Sequence, residues 1–252
     1  MSINAVHYSG KFMCVKLTKM VLPFLLLPGA PVYSAETTNV TLVGDSIHYT
    51  GTLTSEANDA VVEIYADAAV KPTTLVISSD GGDVELGMAL GEWVFANKID
   101  IEVNDYCLSS CANYVFTAGK NKYISNKAII GFHGGLSSQE FDTSDIEASF
   151  KDLPKRQREE EIQKVLHEMQ TYIGKTKEKE DSFFKKIKVK QEITTLGQSP
   201  RYDSFSDSDY SGWTYNPNDY SKLGVKNVFV KQPPWELEQL KKFGKVFIVE
   251  VE

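Results

Sequence analysis

Leu75-Val-Ile-Ser-Ser-Asp-Gly-Gly82, Tyr106-Cys-Leu-Ser-Ser-Cys-Ala-Asn-Tyr-Val-Phe-Thr-Ala-Gly119 and Ala128-Ile-Ile-Gly-Phe-His-Gly-Gly135 all fall within one stretch, Thr74 to Gly135, whose reading decides the fold. Each opens as a short apolar strand or helix start and ends in small or polar residues. Such endings are where a scaffold presents backbone amides and a reactive side chain.

Within that stretch, Thr73 to Ser78 is a continuous Val/Ile/Leu run of the kind buried in a parallel sheet. After Gly81-Gly82, the segment Asp83 to Asn97 reads as a helix carrying Val84, Leu86, Met88, Leu90, Trp93 and Val94. Ile99 to Val103 alternates as a strand, Ser109 to Ala118 follows as a further helix, and Tyr123-Ile-Ser and Ala128 to Phe132 are short strands. Upstream, Asn39-Val-Thr-Leu-Val and Ser46 to Leu53 read as strands broken at Gly44-Asp45. Ser55 then caps a helix with Ala60, Val61, Ile64 and Ala68 on one side, stopped at Lys71-Pro72. This β-helix-β-helix-β order predicts an α/β domain with parallel strands joined by right-handed crossovers.

Further along, the stretch from Ser137 to about Lys190 is highly charged. Ile162, Val165, Leu166, Met169, Tyr172 and Ile173 recur there at helical spacing, which predicts a long amphipathic helix packed on the domain or on a partner subunit. Gln198 to Asn218, rich in Ser, Asp, Tyr and Gly, reads as an irregular loop. Asn218 to Val228 reads as a short helix closed by Gly224 and followed by a strand. Pro234 to Gly244 reads as a short helix and Lys245 to Val251 as a terminal strand.

The chain has 252 residues, 42% hydrophobic and 24% charged, a globular composition long enough for a full core. Its first 35 residues hold Lys11, Lys16 and Lys19, no acidic residue, and the apolar run Met20 to Leu27 before small residues ending at Ala35. That order is expected of a secretory signal, residues 1–35, leaving a domain over 36–252 with a helical insertion at about 138–192. Pro23 and Pro28 interrupt the run, which is too short for a membrane span. Without the signal, 24 Lys and Arg face 34 Asp and Glu, a net of about −10. An acidic chain without a basic stripe is a poor nucleic-acid binder. Export would put Cys107 and Cys111 in an oxidising compartment as an even pair, with Cys14 lost to the signal.

Four histidines allow elimination. His7 lies in the signal, His48 in an early strand and His167 in the charged helix, whereas His133 sits at a strand end among Gly131, Gly134 and Gly135. It reads equally as a turn cap or as a base. Ser110 follows a strand and opens a helix, where free amides favour developing negative charge. A serine attacking an acyl carbon needs a base and two amide donors. Cys111 supplies the amide after Ser110, and the Gly81-Gly82 turn offers the other. The plain alternative for Ser109-Ser110 is a helix N-cap. No metal-ligand spacing, P-loop or dinucleotide fingerprint is present in the sequence, so neither metal nor cofactor is expected.

In order and spacing these motifs resemble the proteolytic subunit of the Clp protease and its relatives. Ser-Asp-Gly-Gly82 stands where the family has Asn-Ser-Pro-Gly-Gly, Ser-Ser-Cys111 where it has Ala-Ser-Met, and Phe-His133 where it has Ile-His. Asn216-Pro-Asn-Asp-Tyr-Ser-Lys-Leu-Gly-Val-Lys-Asn-Val228 is similar to a late Ala-Pro-Glu-Ala-x-x-Tyr-Gly-Leu-Val-Asp stretch. With an export signal, the likeness is greatest to periplasmic Clp-like proteins. The resemblance implies an α/β fold of the ClpP/crotonase type, a spiral ββα core bearing the charged helical insertion. It implies Ser110 as nucleophile, His133 as general base, and Gly82, with Gly81 beside it, and Cys111 as oxyanion donors. The orienting carboxylate falls opposite Asp207, with Asp209 and Asp203 as alternatives.

The function so implied is an exported serine peptidase acting on peptides or proteins and self-associating into an oligomer, with no ATPase partner evident. Export disfavours acyl-CoA chemistry. A catalytically silent binding or assembly module on the same fold is the rival. In an exported protein a disulfide between Cys107 and Cys111 would pin the turn around the serine. A Cys111 thiol working with His133 is the competing arrangement.

Overall fold

A computed structural model describes residues 38–138, 144–206, 210–239 and 243–252. The expected signal, residues 1–35, lies outside the described residues. β1 (Asn39–Val43) and β2 (Ser46–Thr50) pair antiparallel across the Gly44-Asp45 turn, where Gly44 takes φ +64°. α1 (Ser55–Asp67) is capped one residue earlier than expected: the Thr54 hydroxyl accepts from the Ala57 amide at 3.2 Å.

β3 (Thr74–Ser78), α2 (Val84–Asn97) and β4 (Asp100–Val103) follow as the sequence pattern requires. Asp83 caps α2, its carboxylate accepting from Leu86 N at 3.0 Å. β5 (Tyr106–Leu108) then leads into a helical turn, Cys111–Phe116, which is π rather than α. β6 (Lys122–Ile124) and β7 (Ile129–Gly131) complete the first half. α3 (Ser144–Ser149) and the 33-residue α4 (Lys155–Ile187) form the charged insertion, and α5 (Asp203–Ser206) is a single turn. β8 (Tyr210–Tyr215), β9 (Val228–Val230) and β10 (Lys245–Val249) close the chain.

The main sheet has the order β1-β2-β3-β4-β6-β9 and is parallel everywhere except at β1-β2. Leu75 and Ile77 of β3 and Ile101 and Val103 of β4 are wholly enclosed and share one core with Val61 and Val94 of the helices. Burying such side chains contributes roughly 1.5–3 kcal/mol each. β3 alternates half-buried and buried rather than being enclosed on both faces.

A second layer is formed by two parallel pairs, β5 with β7 and β8 with β10. They are joined where Phe132 and Trp213 exchange backbone hydrogen bonds of 2.8 and 2.7 Å. Ser79, just past β3, bridges to Cys107 of β5 and so ties the two layers at the site.

Three expectations fail. The region read as an irregular loop contains β8, Tyr210-Ser-Gly-Trp-Thr-Tyr215, which pairs with β10 and buries Trp213, Thr214 and Tyr215. The helix expected from Pro234 is absent at 235–239; there Trp235 instead turns its indole to donate to the Ala128 carbonyl at 2.9 Å. Asn218 to Gly224 contains only a 3-10 turn, Tyr220–Leu223, closed by Gly224 at φ +87°. Among the described residues no helix is long and apolar enough to cross a membrane.

Candidate active site

The site forms where three chain turns meet at the ends of β3, β5 and β7. The turn after β3 contains Gly81 at φ +95° and Gly82 at φ +151°. A Cβ on Gly81 would stand 2.6 Å from the Leu108 carbonyl and 2.7 Å from the Ser109 Cβ, so only glycine lets this turn lie against the next one. The turn after β5 is Ser109 itself, a non-glycine residue at φ +55°. Its amide donates to Gly131 and its carbonyl accepts from Asn113, at 2.9 and 2.8 Å.

The turn after β7 carries His133. Its Nε2 lies 2.7 Å from the Ser109 Oγ. Burial of the imidazole lowers the His133 pKa below the ordinary 6.5, which favours the neutral ring a base requires. The loop beyond it is held from two sides. Asn113 Nδ2 donates to the Gly134 carbonyl at 3.0 Å, and Leu136 N donates to Glu180 Oε1 at 3.4 Å.

Ser110 is therefore not the serine that His133 engages. Its hydroxyl, only 2% exposed, donates to the Gly82 carbonyl at 2.8 Å and so locks the two turns together. The reason is the backbone at the junction: Ser109 takes the left-handed turn between β5 and the helical segment, at φ +55°, whereas Ser110 is already in the helical conformation and carries its hydroxyl to the Gly82 carbonyl.

The oxyanion expectation moves with it. The amide following Ser109 belongs to Ser110 rather than to Cys111, and its nitrogen lies 3.0 Å from where a Gly81 Cβ would stand. Neither the Ser110 nor the Gly82 amide donates to another group among the described residues. The Gly81 amide is used internally, donating to Ser79 Oγ at 3.1 Å.

Cys107 and Cys111 are joined as a disulfide, with Cα atoms 5.3 Å apart and both side chains wholly buried. Cys111 thus offers no free thiol to His133. Asp203 sits exposed at the start of α5, while Asp207 and Asp209 lie outside the described residues. Among the described residues no group of His, Cys, Asp and Glu is arranged to hold a metal ion.

Two parts of the site escaped the sequence reading. Glu180 of α4, with no exposure, accepts from Tyr114 Oη at 2.6 Å and from Gln191 Nε2 at 2.9 Å. It stands against Gly135, two residues past the histidine. Position 180 continues the apolar face of α4, but a carboxylate there reads as one more charge of a charged helix. Gly212 of β8 is the other: a Cβ there would collide with the Phe132 carbonyl and come 3.2 Å from that of His133.

No family model matches this chain, and no curated protein matches it. Among solved structures it overlaps an enoyl-CoA hydratase from Thermoplasma volcanium GSS1 at 8% identity and a TM-score of 0.29. That overlap covers 36% of this chain and 49% of the enzyme, so the chain spans about half the length of that neighbour. Likeness of this degree carries no argument about fold or chemistry; the mixed α/β architecture with a mostly parallel sheet rests on the strand pairing itself.

Proposed function

We propose that this chain is an exported serine hydrolase of the peptidase kind on a ClpP/crotonase-type spiral core, with Ser109 as nucleophile and His133 as base. One observation carries the reading: the 2.7 Å hydrogen bond between Ser109 Oγ and His133 Nε2 at the meeting point of three turns. Ser109 Oγ attacks the acyl carbon while its proton passes to Nε2. The tetrahedral oxyanion is received by the Ser110 and Gly82 amides. His133 then gives the proton to the leaving amine, and a water activated by the same imidazole releases the acyl group from Ser109.

For the orienting carboxylate the reading keeps Asp207, with Asp209 or Asp203 as alternatives, on the family resemblance alone. The substrate is a peptide or protein, and the chain self-associates. The disulfide suits an exported location.

A fluorophosphonate probe tests the reading. The processed protein is expected to be labelled, Ser109→Ala to abolish labelling, and Ser110→Ala to retain it. If the folded, processed protein is never labelled beside a control hydrolase that is, the hydrolase reading fails. The alternative is then a silent binding module, favoured by the largely exposed charged surface of α4.

A further inference from the structure

Ser109 is held at φ +55°, a conformation that a side-chain-bearing residue keeps only when its surroundings impose it. On one side the bare Cα of Gly81 lies against it. On the other, the Cys107–Cys111 bridge closes a five-residue ring whose three enclosed members are Leu108, Ser109 and Ser110. One end of the ring is anchored in β5, which pairs with β7, and the other in the π turn that packs on α2. The ring thus connects the two elements whose junction Ser109 must turn.

A ring this short removes less unfolded-chain entropy than a long-range bridge does. Its position, rather than its contribution to global stability, is what distinguishes it. Both cysteines are wholly buried.

We propose that Cys107 and Cys111 are the positioning pair of Ser109, and that the chain is competent only after their oxidation. The dithiol form would fold but let Ser109 leave the left-handed conformation and lose His133. Maturation is a thiol-disulfide exchange with a disulfide-bearing oxidant. Two thiols of this chain lose two protons and two electrons to form one S–S bond, while the oxidant's disulfide is reduced to two thiols. This inference rests on the Ser109–His133 reading.

The test compares oxidised wild type with Cys107→Ser/Cys111→Ser, using circular dichroism for the fold, fluorophosphonate labelling for the nucleophile, and nitrogen-15 NMR of His133 for the hydrogen bond. The double variant is expected to keep its secondary structure but to label roughly a hundredfold more slowly, as misplacement of a reacting group by about 1 Å does. In the oxidised protein Ser109→Ala is expected to shift the His133 ring resonances. In the Cys107→Ser/Cys111→Ser background the same change is expected to leave them in place.

Labelling at the wild-type rate, or an equal His133 shift in both backgrounds, overturns the proposal. If oxidised wild type is not labelled at all, the hydrolase reading fails, and the NMR comparison still decides this one. Should the double variant not fold, wild type reduced by a phosphine and then reoxidised with oxidised glutathione replaces it. Loss and recovery of the His133 shift supports the proposal, and no change on reduction overturns it.

Discussion

Ser109 Oγ and His133 Nε2 stand 2.7 Å apart, although their residues leave different strands and are separated by 24 positions in the chain. Adjacent Ser110 turns its hydroxyl to the Gly82 carbonyl instead. Two neighbouring serines of one Ser-Ser pair therefore have different work, and their substitutions should differ in kind. Ser110→Ala removes one buried hydrogen bond and leaves the Gly82 carbonyl unmatched, which should lower unfolding stability by about 1–2 kcal/mol. Urea denaturation measures this, and a stability equal to wild type would contradict the role of the Ser110 hydroxyl as the lock between turns.

Acid should inactivate the protein late. Burial lowers the pKa of His133, so the neutral imidazole persists below pH 6.5 and the Ser109 labelling rate should fall only as pH drops further. A labelling profile with its acid limb at or above the ordinary histidine range would show that the imidazole is not the base.

Gly81→Ala should be severe. The residue sits at φ +95°, and its new methyl would meet the Leu108 carbonyl and Ser109 Cβ within 2.7 Å. A loss of about 2 kcal/mol or more in stability is expected from the backbone conformation and the clash together, and labelling should fall with it because the displaced atoms belong to Ser109. Thermal melts and labelling rates on the same preparation check both.

Glu180 joins α4 to the loop after His133. Replacing it with Ala strands the Tyr114 hydroxyl and the Gln191 amide, at a cost of about 2–3 kcal/mol. Glu180→Gln should recover most of that, since its carbonyl oxygen still accepts from Tyr114 and Gln191 turns its own oxygen toward the new amide. Equal losses in the two variants would mean that volume, not hydrogen bonding, is what position 180 provides.

Lys122 gives a stability signature in mild alkali. It is nearly enclosed, donates to the Lys226 carbonyl at 3.0 Å, and burial brings its pKa from 10.5 down to about 8. Between these values the unfolded chain binds more protons than the folded one, so stability should rise as pH climbs from about 8 toward 10. Above pH 10 the sign reverses: Tyr49, pushed up to about 12, and the buried Tyr114 and Tyr215 stay protonated in the fold while their unfolded counterparts ionise. Lys122→Met should remove the rising limb and leave the falling one.

Elements set by local chemistry were legible in the sequence. The apolar run of β3, the Gly81-Gly82 turn and the strand-helix alternation through β4 depend on residues close in the chain. His133 was singled out because its glycine neighbours mark a tight approach, and the structure does bring it against a serine.

What was not legible depends on partners far away or on the conformation of a single turn. Ser109 and Ser110 are chemically identical, and only the left-handed backbone at Ser109 and the partners brought by distant turns distinguish them. β8 was hidden because Ser211 and Gly212 look like loop residues until Phe132, far back in the chain, supplies their pairing edge. Glu180 was hidden because its residue type matches the exposed carboxylates around it, although its position falls on the buried face of α4.

The bridge between Phe132 and Trp213 has a consequence for timing during synthesis. The strand that steadies the residue before His133 is separated from it by the whole charged insertion, and is itself flanked by β10 near the end of the chain. A ribosome that has released α4 has therefore delivered serine and histidine but not the backing that keeps them in register. The register of Phe132, and with it the placement of the histidine beside it, is thus settled only when a segment from beyond the insertion has folded back against it.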